Sequence, residues 1–100
     1  IVFKEVKVAH NGKEGLNTYL NTPTDIVMSD INMPLMNGYE MVKSIIEQNY
    51  NPQIIILSAH DDVVALRDIA SIGVEYTVQK PFEDEILYNK LILACKNLLK

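Results

Sequence analysis

The chain is poor in the residues that disulfide-rich, nucleic-acid-binding and membrane-spanning proteins need. It has one cysteine, Cys95, which excludes an internal disulfide and suits a reducing compartment. Acidic residues outnumber basic ones by 13 to 9, which argues against direct contact with nucleic acid. No apolar run has the length of a membrane span, and no charged-then-apolar leader is visible. What remains is a globular composition of 48% hydrophobic residues over 100 positions, which suits one domain with one core.

Short apolar runs alternate with segments of helical period along this domain, residues 1–100. The predicted strands are 5–9, 25–30, 53–58 and 74–79, and the predicted helices are 10–20, 39–49, 61–73 and 83–100. The run QIIILS at 53–58 has the pattern of a strand buried on both faces of a parallel sheet. This alternation predicts an α/β domain, with a parallel sheet and helices on both faces.

Three polar side chains lie at the carboxyl ends of three predicted strands. Asp30, Ser58 and Lys80 should meet along one edge of the sheet, where α/β domains bind ligands. A carboxylate can attack phosphorus, a hydroxyl can donate to a phosphoryl oxygen, and an ammonium group can pair with phosphate. Taken singly, each residue also has an ordinary interpretation, as a turn residue, a helix cap or a solvated lysine.

The segments DIVMSDINMPLMNGYEMV, IIILSAHDD and VQKPF, preceded by VKVAHNGKEGL, resemble the receiver domain of two-component response regulators. The resemblance covers essentially the whole chain and implies a flavodoxin-like doubly wound sheet of strand order 2-1-3-4-5. It implies a cytoplasmic phosphoacceptor switch that is phosphorylated by a sensor histidine kinase and acts on a downstream protein or a fused output domain. Such a protein is a regulator rather than an enzyme, with at most slow self-catalysed phosphorylation and dephosphorylation.

The resemblance also gives each residue at this edge a role. Asp30 would accept the phosphoryl group, Ser58 would hydrogen-bond it, and Lys80 would pair with Asp30 and then with the phosphate. The bond between Lys80 and Pro81 would be cis, which is accessible before proline.

Mg²⁺ is the cofactor that the resemblance implies, with Asp30 and the backbone carbonyl of Asn32 among its ligands. Asn32 and His60 would flank the attacking water and tune the lifetime of the phosphate, although His60 also fits a helix-entry residue without a role. The family's other magnesium ligands are an acidic pair at the end of its first strand, and these residues contain no such strand. We therefore expect an N-terminally truncated or partly observed chain, or else a dimer that repairs the sheet through exposed edges.

Two other functions stay open. A receiver-like interaction module that never takes phosphate is favoured by the missing acidic pair and disfavoured by the intact Asp30, Ser58 and Lys80. A phosphohydrolase with an aspartyl-phosphate intermediate would usually need an acid two residues after the nucleophile, where this chain has Asn32.

Overall fold

The structure, a computed structural model, describes residues 11–32, 35–59 and 61–98. In chain order the elements are α1 (Gly12–Asn21), β1 (Ile26–Asp30), α2 (Gly38–Glu47), β2 (Gln53–Ser58), α3 (Val63–Ser71), β3 (Tyr76–Gln79) and α4 (Asp84–Leu98). The strand predicted at 5–9 lies outside the described residues. Each of the other predicted elements is present, although α1, α3 and β3 each begin two residues later than expected.

The three described strands form one parallel sheet in the order β1-β2-β3. Asp30 lies opposite Leu57 on the neighbouring strand, and Ser58 lies opposite Gln79 on the next. The strands therefore end at the same edge of the sheet, as the sequence predicts. None of the helices in these described ranges is long and apolar enough to cross a bilayer.

The central strand, β2, is buried on both faces. Ile54 and Ile56 pack in a cluster with apolar side chains from α1, α2 and α3. Ile55 points to the opposite face and packs in a second cluster with side chains from β3 and α4. All three isoleucines are less than 10% exposed, so the isoleucine run anchors the middle of the domain, and Ser58 is held at its end.

The helical pattern overstates how much apolar surface is buried. The helical period places Ile86 and Leu98 on one face of α4 with Ala94, yet they are 47% and 41% exposed, whereas Ala94 is fully buried. Among the described strands, α4 packs against β2 and β3. Periodicity therefore identifies which apolar side chains share a face of the helix, but not how far each one is buried.

Helices α1, α2 and α3 begin in three different ways. Asn11 caps α1 by accepting a hydrogen bond from the Glu14 N–H at 2.8 Å, as its spacing predicts. Asn37 and Glu40 form a complete capping box at the start of α2. Asp62 occupies the cap position of α3, but its side chain makes no capping hydrogen bond. Its carboxylate is bound elsewhere, at the edge where the strands end.

Candidate functional site

Hydrogen bonds on both sides of Asp30 hold its backbone in place. Ser29 donates a hydrogen bond from its hydroxyl to the Asp30 carbonyl at 2.7 Å, and the Ile31 N–H continues the ladder to Leu57 at 3.0 Å. The chain then turns back, and the Gly38 N–H donates to the Ile31 carbonyl at 2.8 Å. A Cβ at position 38 would lie 2.6 Å from the Asp30 carbonyl oxygen, so this turn needs glycine.

Lys80 follows β3, which is separated from the strand of Asp30 by β2. Its backbone N–H donates to the Ser58 carbonyl at 2.7 Å, and the Lys80–Pro81 bond that follows is cis. The Lys80 ammonium forms an ion pair with Oδ1 of Asp30. Since neighbouring strands are about 4.8 Å apart, the lysine side chain crosses the end of β2 to make this contact.

The ion pair between Lys80 and Asp30 is open to solvent on one side. The two side chains are 45% and 44% exposed, although Oδ1 of Asp30 itself is covered. The ammonium group is the polar group that lies against this covered oxygen. Ion pairs exposed to this degree contribute at most about 1 kcal/mol to stability, so stability alone gives little reason for a lysine here. The arrangement is better explained by chemistry: a ligand can reach the Asp30 carboxylate from solvent, and the Lys80 ammonium lies beside it.

Ser58 is buried at the centre of the same edge, with 2% of its surface exposed. It lies at the end of β2, between the strand that carries Asp30 and the strand that precedes Lys80. A hydroxyl at this point of the sheet can donate to an oxygen bound at the edge.

Asp62 connects two of the loops at this edge. Its Oδ2 accepts a hydrogen bond from the Ala59 N–H at 2.7 Å, and its Oδ1 accepts one from Nδ2 of Asn32 at 3.1 Å. The loop after β1 is therefore tied to the loop after β2 by one carboxylate. From the sequence alone, an aspartate at this position is expected only to suit the positive end of a helix.

The structure thus brings most of the predicted residues to one edge. Asp30 and Lys80 are in contact, Ser58 is joined to Lys80 through the backbone, and the side chain of Asn32 turns to Asp62. His60 lies outside the described residues. Sequence reasoning missed Asn37, Gly38 and Asp62. The asparagine and glutamate three residues apart at 37 and 40 were a readable capping signal, but nothing local marked the other two.

The described residues do not build a magnesium site by themselves. Within 11–32, 35–59 and 61–98, no three Asp, Glu, His or Cys side chains are grouped as metal ligands. Asp30 already has an ammonium group against one oxygen, and the Asp62 carboxylate accepts two hydrogen bonds. Mg²⁺ needs octahedral oxygen ligands, usually including one or two carboxylates. The predicted metal ligands Asp30 and Asn32 therefore stay a prediction.

Comparison with known proteins gives consistent matches. Residues 2–92 match the family model of the response regulator receiver domain. The chain is 35% identical over 75 residues to chemotaxis protein CheY of Thermotoga maritima, which covers 75% of this chain and 62% of that protein. It is 34% identical over 99 residues to response regulator SaeR of Staphylococcus aureus, which covers 95% of this chain and 40% of that protein. The chain thus spans less than two thirds of either relative.

Solved structures resemble the whole domain. A response regulator receiver domain protein from Clostridium thermocellum superposes with a TM-score of 0.83 at 26% identity, covering 96% of this chain and 79% of that one. Chemotaxis protein CheY4 of Vibrio cholerae gives a TM-score of 0.78 at 29% identity, covering 90% and 77%. These likenesses confirm the predicted flavodoxin-like α/β fold.

Proposed function

The chain belongs to the response regulator receiver domain family, and we propose that it is a phosphoacceptor switch of a two-component system. The family consists of signalling regulators rather than conventional enzymes. The observation that carries the proposal is the ion pair between the Lys80 ammonium and the Asp30 carboxylate at the carboxyl edge of the sheet. In the proposed function a sensor histidine kinase, acting in the cytoplasm, phosphorylates Asp30. A downstream protein or a fused output domain then responds to the change.

The carboxylate of Asp30 is suited to attack phosphorus. Oδ1 is covered and paired with Lys80, while the side chain as a whole is 44% exposed, so Oδ2 is the oxygen left to reach a donor. A bond forms between this oxygen and phosphorus as the bond from phosphorus to the donor breaks, and the leaving group departs with the electron pair. The product carries close to two negative charges, which the Lys80 ammonium beside it offsets.

In the proposed switch, Ser58 converts phosphorylation of Asp30 into a movement of the chain. A phosphoryl group on Asp30 adds strong acceptor oxygens next to the end of β2, where the Ser58 hydroxyl can donate to one of them. That new hydrogen bond draws the loop between Ser58 and α3 towards Asp30. A local charge change is thereby converted into a shift of the surface formed by residues 61–80, which is the face proposed to bind partners.

Asn32 and His60 are proposed to tune how long the phosphate survives, because they follow Asp30 and Ser58 by two residues each. Receiver domains generally bind Mg²⁺ at an acidic site. If this chain does so, Asp30 and the Asn32 carbonyl are the residues proposed to face the ion. No step of the proposal depends on the metal, because the described residues supply too few ligands.

A phosphate-independent interaction module is the alternative, and it is favoured by the lack of a grouped set of metal ligands within the described ranges. Against it, an exposed Asp30–Lys80 pair has little value for stability and is suited to phosphate chemistry. A phosphohydrolase is disfavoured, because the residue two positions after Asp30 is Asn32, whose amide donates to Asp62.

Incubation with acetyl phosphate, with and without Mg²⁺, followed by intact mass measurement tests the proposal. We expect the mass of one phosphoryl group to be gained, and this gain to be lost in Asp30→Asn. Asp61→Asn is the matched control, because it removes the same charge from an exposed neighbouring loop and should still be phosphorylated.

A second preparation should carry two further elements ahead of residue 1: a strand that ends in an acidic pair, and the helix that follows it. Phosphorylation of this longer chain alone would mean that the acidic pair completes the site. If neither chain is phosphorylated, the switch is wrong and the interaction module is favoured.

A further inference from the structure

The Asp62 carboxylate lies at the proposed phosphoryl site, yet the proposed chemistry gives it no role. Although Asp62 is the cap residue of α3, its side chain does not cap that helix. It binds instead the Ala59 N–H at 2.7 Å and the Asn32 side-chain amide at 3.1 Å. The 2.7 Å contact has the short length of a charge-assisted hydrogen bond.

The Ala59 N–H is a backbone donor just past the end of β2, at the edge where a phosphoryl group on Asp30 would lie. Ala59 directly follows Ser58, and Asn32 comes two residues after Asp30, so both donors belong to loops that leave the sheet at the edge that carries Asp30. A phosphoryl group needs several donors for its three oxygens. One N–H cannot serve both anions well, and two anions side by side repel each other.

We propose that the Asp62 carboxylate is an internal anion that competes with the phosphoryl group on Asp30 for the Ala59 N–H. Asp62 is thus a positioning residue that lowers the rate of phosphorylation and shortens the life of the phosphate. This inference rests on the proposed function and adds a regulatory residue to the same site.

Displacement of Asp62 would also act on α3. The Asp62 N–H donates to the Ala59 carbonyl at 3.2 Å, and the Asp62 carbonyl accepts from the Leu66 N–H in the first turn of the helix at 2.9 Å. When the phosphoryl group accepts the hydrogen bond from the Ala59 N–H, the Asp62 carboxylate is released and Asp62 can move. Its carbonyl accepts a hydrogen bond in the first turn of α3, so this turn is affected as well. The competition therefore couples phosphorylation to the start of this helix.

Phosphorylation by acetyl phosphate, measured against its concentration in wild type, Asp62→Asn and Asp61→Asn, tests the competition. Asparagine keeps an oxygen that can accept from the Ala59 N–H but removes the charge, while the Asp61 variant controls for net charge. We expect Asp62→Asn to be phosphorylated about tenfold more efficiently than wild type or Asp61→Asn. This corresponds to a change of about 1.4 kcal/mol in the activation free energy of phosphorylation. Its phosphate should also last longer. A purely structural role would give unchanged or slower phosphorylation.

The Ala59 amide resonance provides a readout on the unphosphorylated protein. A proton that hydrogen-bonds a carboxylate at this distance resonates downfield, so Asp62→Ala should move the Ala59 signal upfield, and Asp61→Asn should not. An unmoved signal would overturn the inference. So would equal phosphorylation rates in the Asp62 and Asp61 variants, which would leave the proposed function intact. If neither wild type nor the longer chain with the acidic pair takes phosphate, the proposed function fails and this inference fails with it.

Discussion

Replacement of Gly38 by alanine would test how the turn after β1 holds the phosphoacceptor. The new Cβ would lie 2.6 Å from the Asp30 carbonyl oxygen and 3.0 Å from the Ile31 Cα. An ordinary carbon–oxygen contact is about 3.3 Å or longer, so backbone must move by about 0.7 Å. Overpacking of this kind costs about 1–3 kcal/mol. Because the clash is with backbone on both sides, we expect about 2–3 kcal/mol, or a melting temperature about 10–20 °C lower.

Gly73→Ala is the control for this experiment. Gly73 has a φ of +94° with no atom within 4 Å of a built Cβ, so alanine there is strained but meets no obstacle. It should cost about 1–2 kcal/mol. Urea unfolding gives the stability of both variants, and acetyl phosphate gives their phosphorylation rates under conditions where both are folded. We expect slower phosphorylation only in Gly38→Ala. If that variant kept wild-type stability and rate, the close approach to Asp30 would be refuted.

Three further changes separate stability from function. Asn37→Ala removes the capping box of α2 and should cost about 1 kcal/mol in urea unfolding, whereas Asn17→Ala, at an exposed position in α1, should cost nothing. Lys80→Met should change the unfolding free energy by less than about 1 kcal/mol, because the pair is half exposed, yet slow phosphorylation at least about tenfold; equal rates would contradict this. Burial, with smaller contributions from nearby charges, raises the pKa of Tyr19 above 10.0. The unfolded chain therefore loses this proton first, so stability should fall as the pH rises from 10.0 towards the raised folded pKa. Tyr19→Phe should flatten that decline in alkaline urea titrations, and Tyr88→Phe at an exposed position should not.

The parts of the fold set by local pattern were predictable. The isoleucine run at 54–56 has no polar face, so it predicts a strand covered on both sides, and the two clusters around it confirm this. The placement of Asp30 and Lys80 at one edge follows from the parallel direction of their strands, because the carboxyl ends of parallel strands coincide.

What could not be predicted depends on distance in three dimensions. Asp62 has the local pattern of a helix cap, but its partner Asn32 is 30 residues away and lies in another loop. Gly38 follows an asparagine in a typical turn pair, yet only the folded chain brings Asp30 against it. Ile86 is 47% exposed although it belongs to the apolar pattern of α4, because periodicity along one helix does not show which of its residues the sheet covers.

The most direct test of the central claim is to locate the phosphate. Borohydride reduces an aspartyl phosphate to homoserine, so treatment of the acetyl-phosphate-labelled protein followed by peptide mass spectrometry identifies the residue modified. The account predicts homoserine at position 30 in wild type and in Asp61→Asn, and none in Asp30→Asn. Modification at another carboxylate, or at none in both this chain and the longer chain with the acidic pair, would contradict the assignment of Asp30 as the phosphoacceptor.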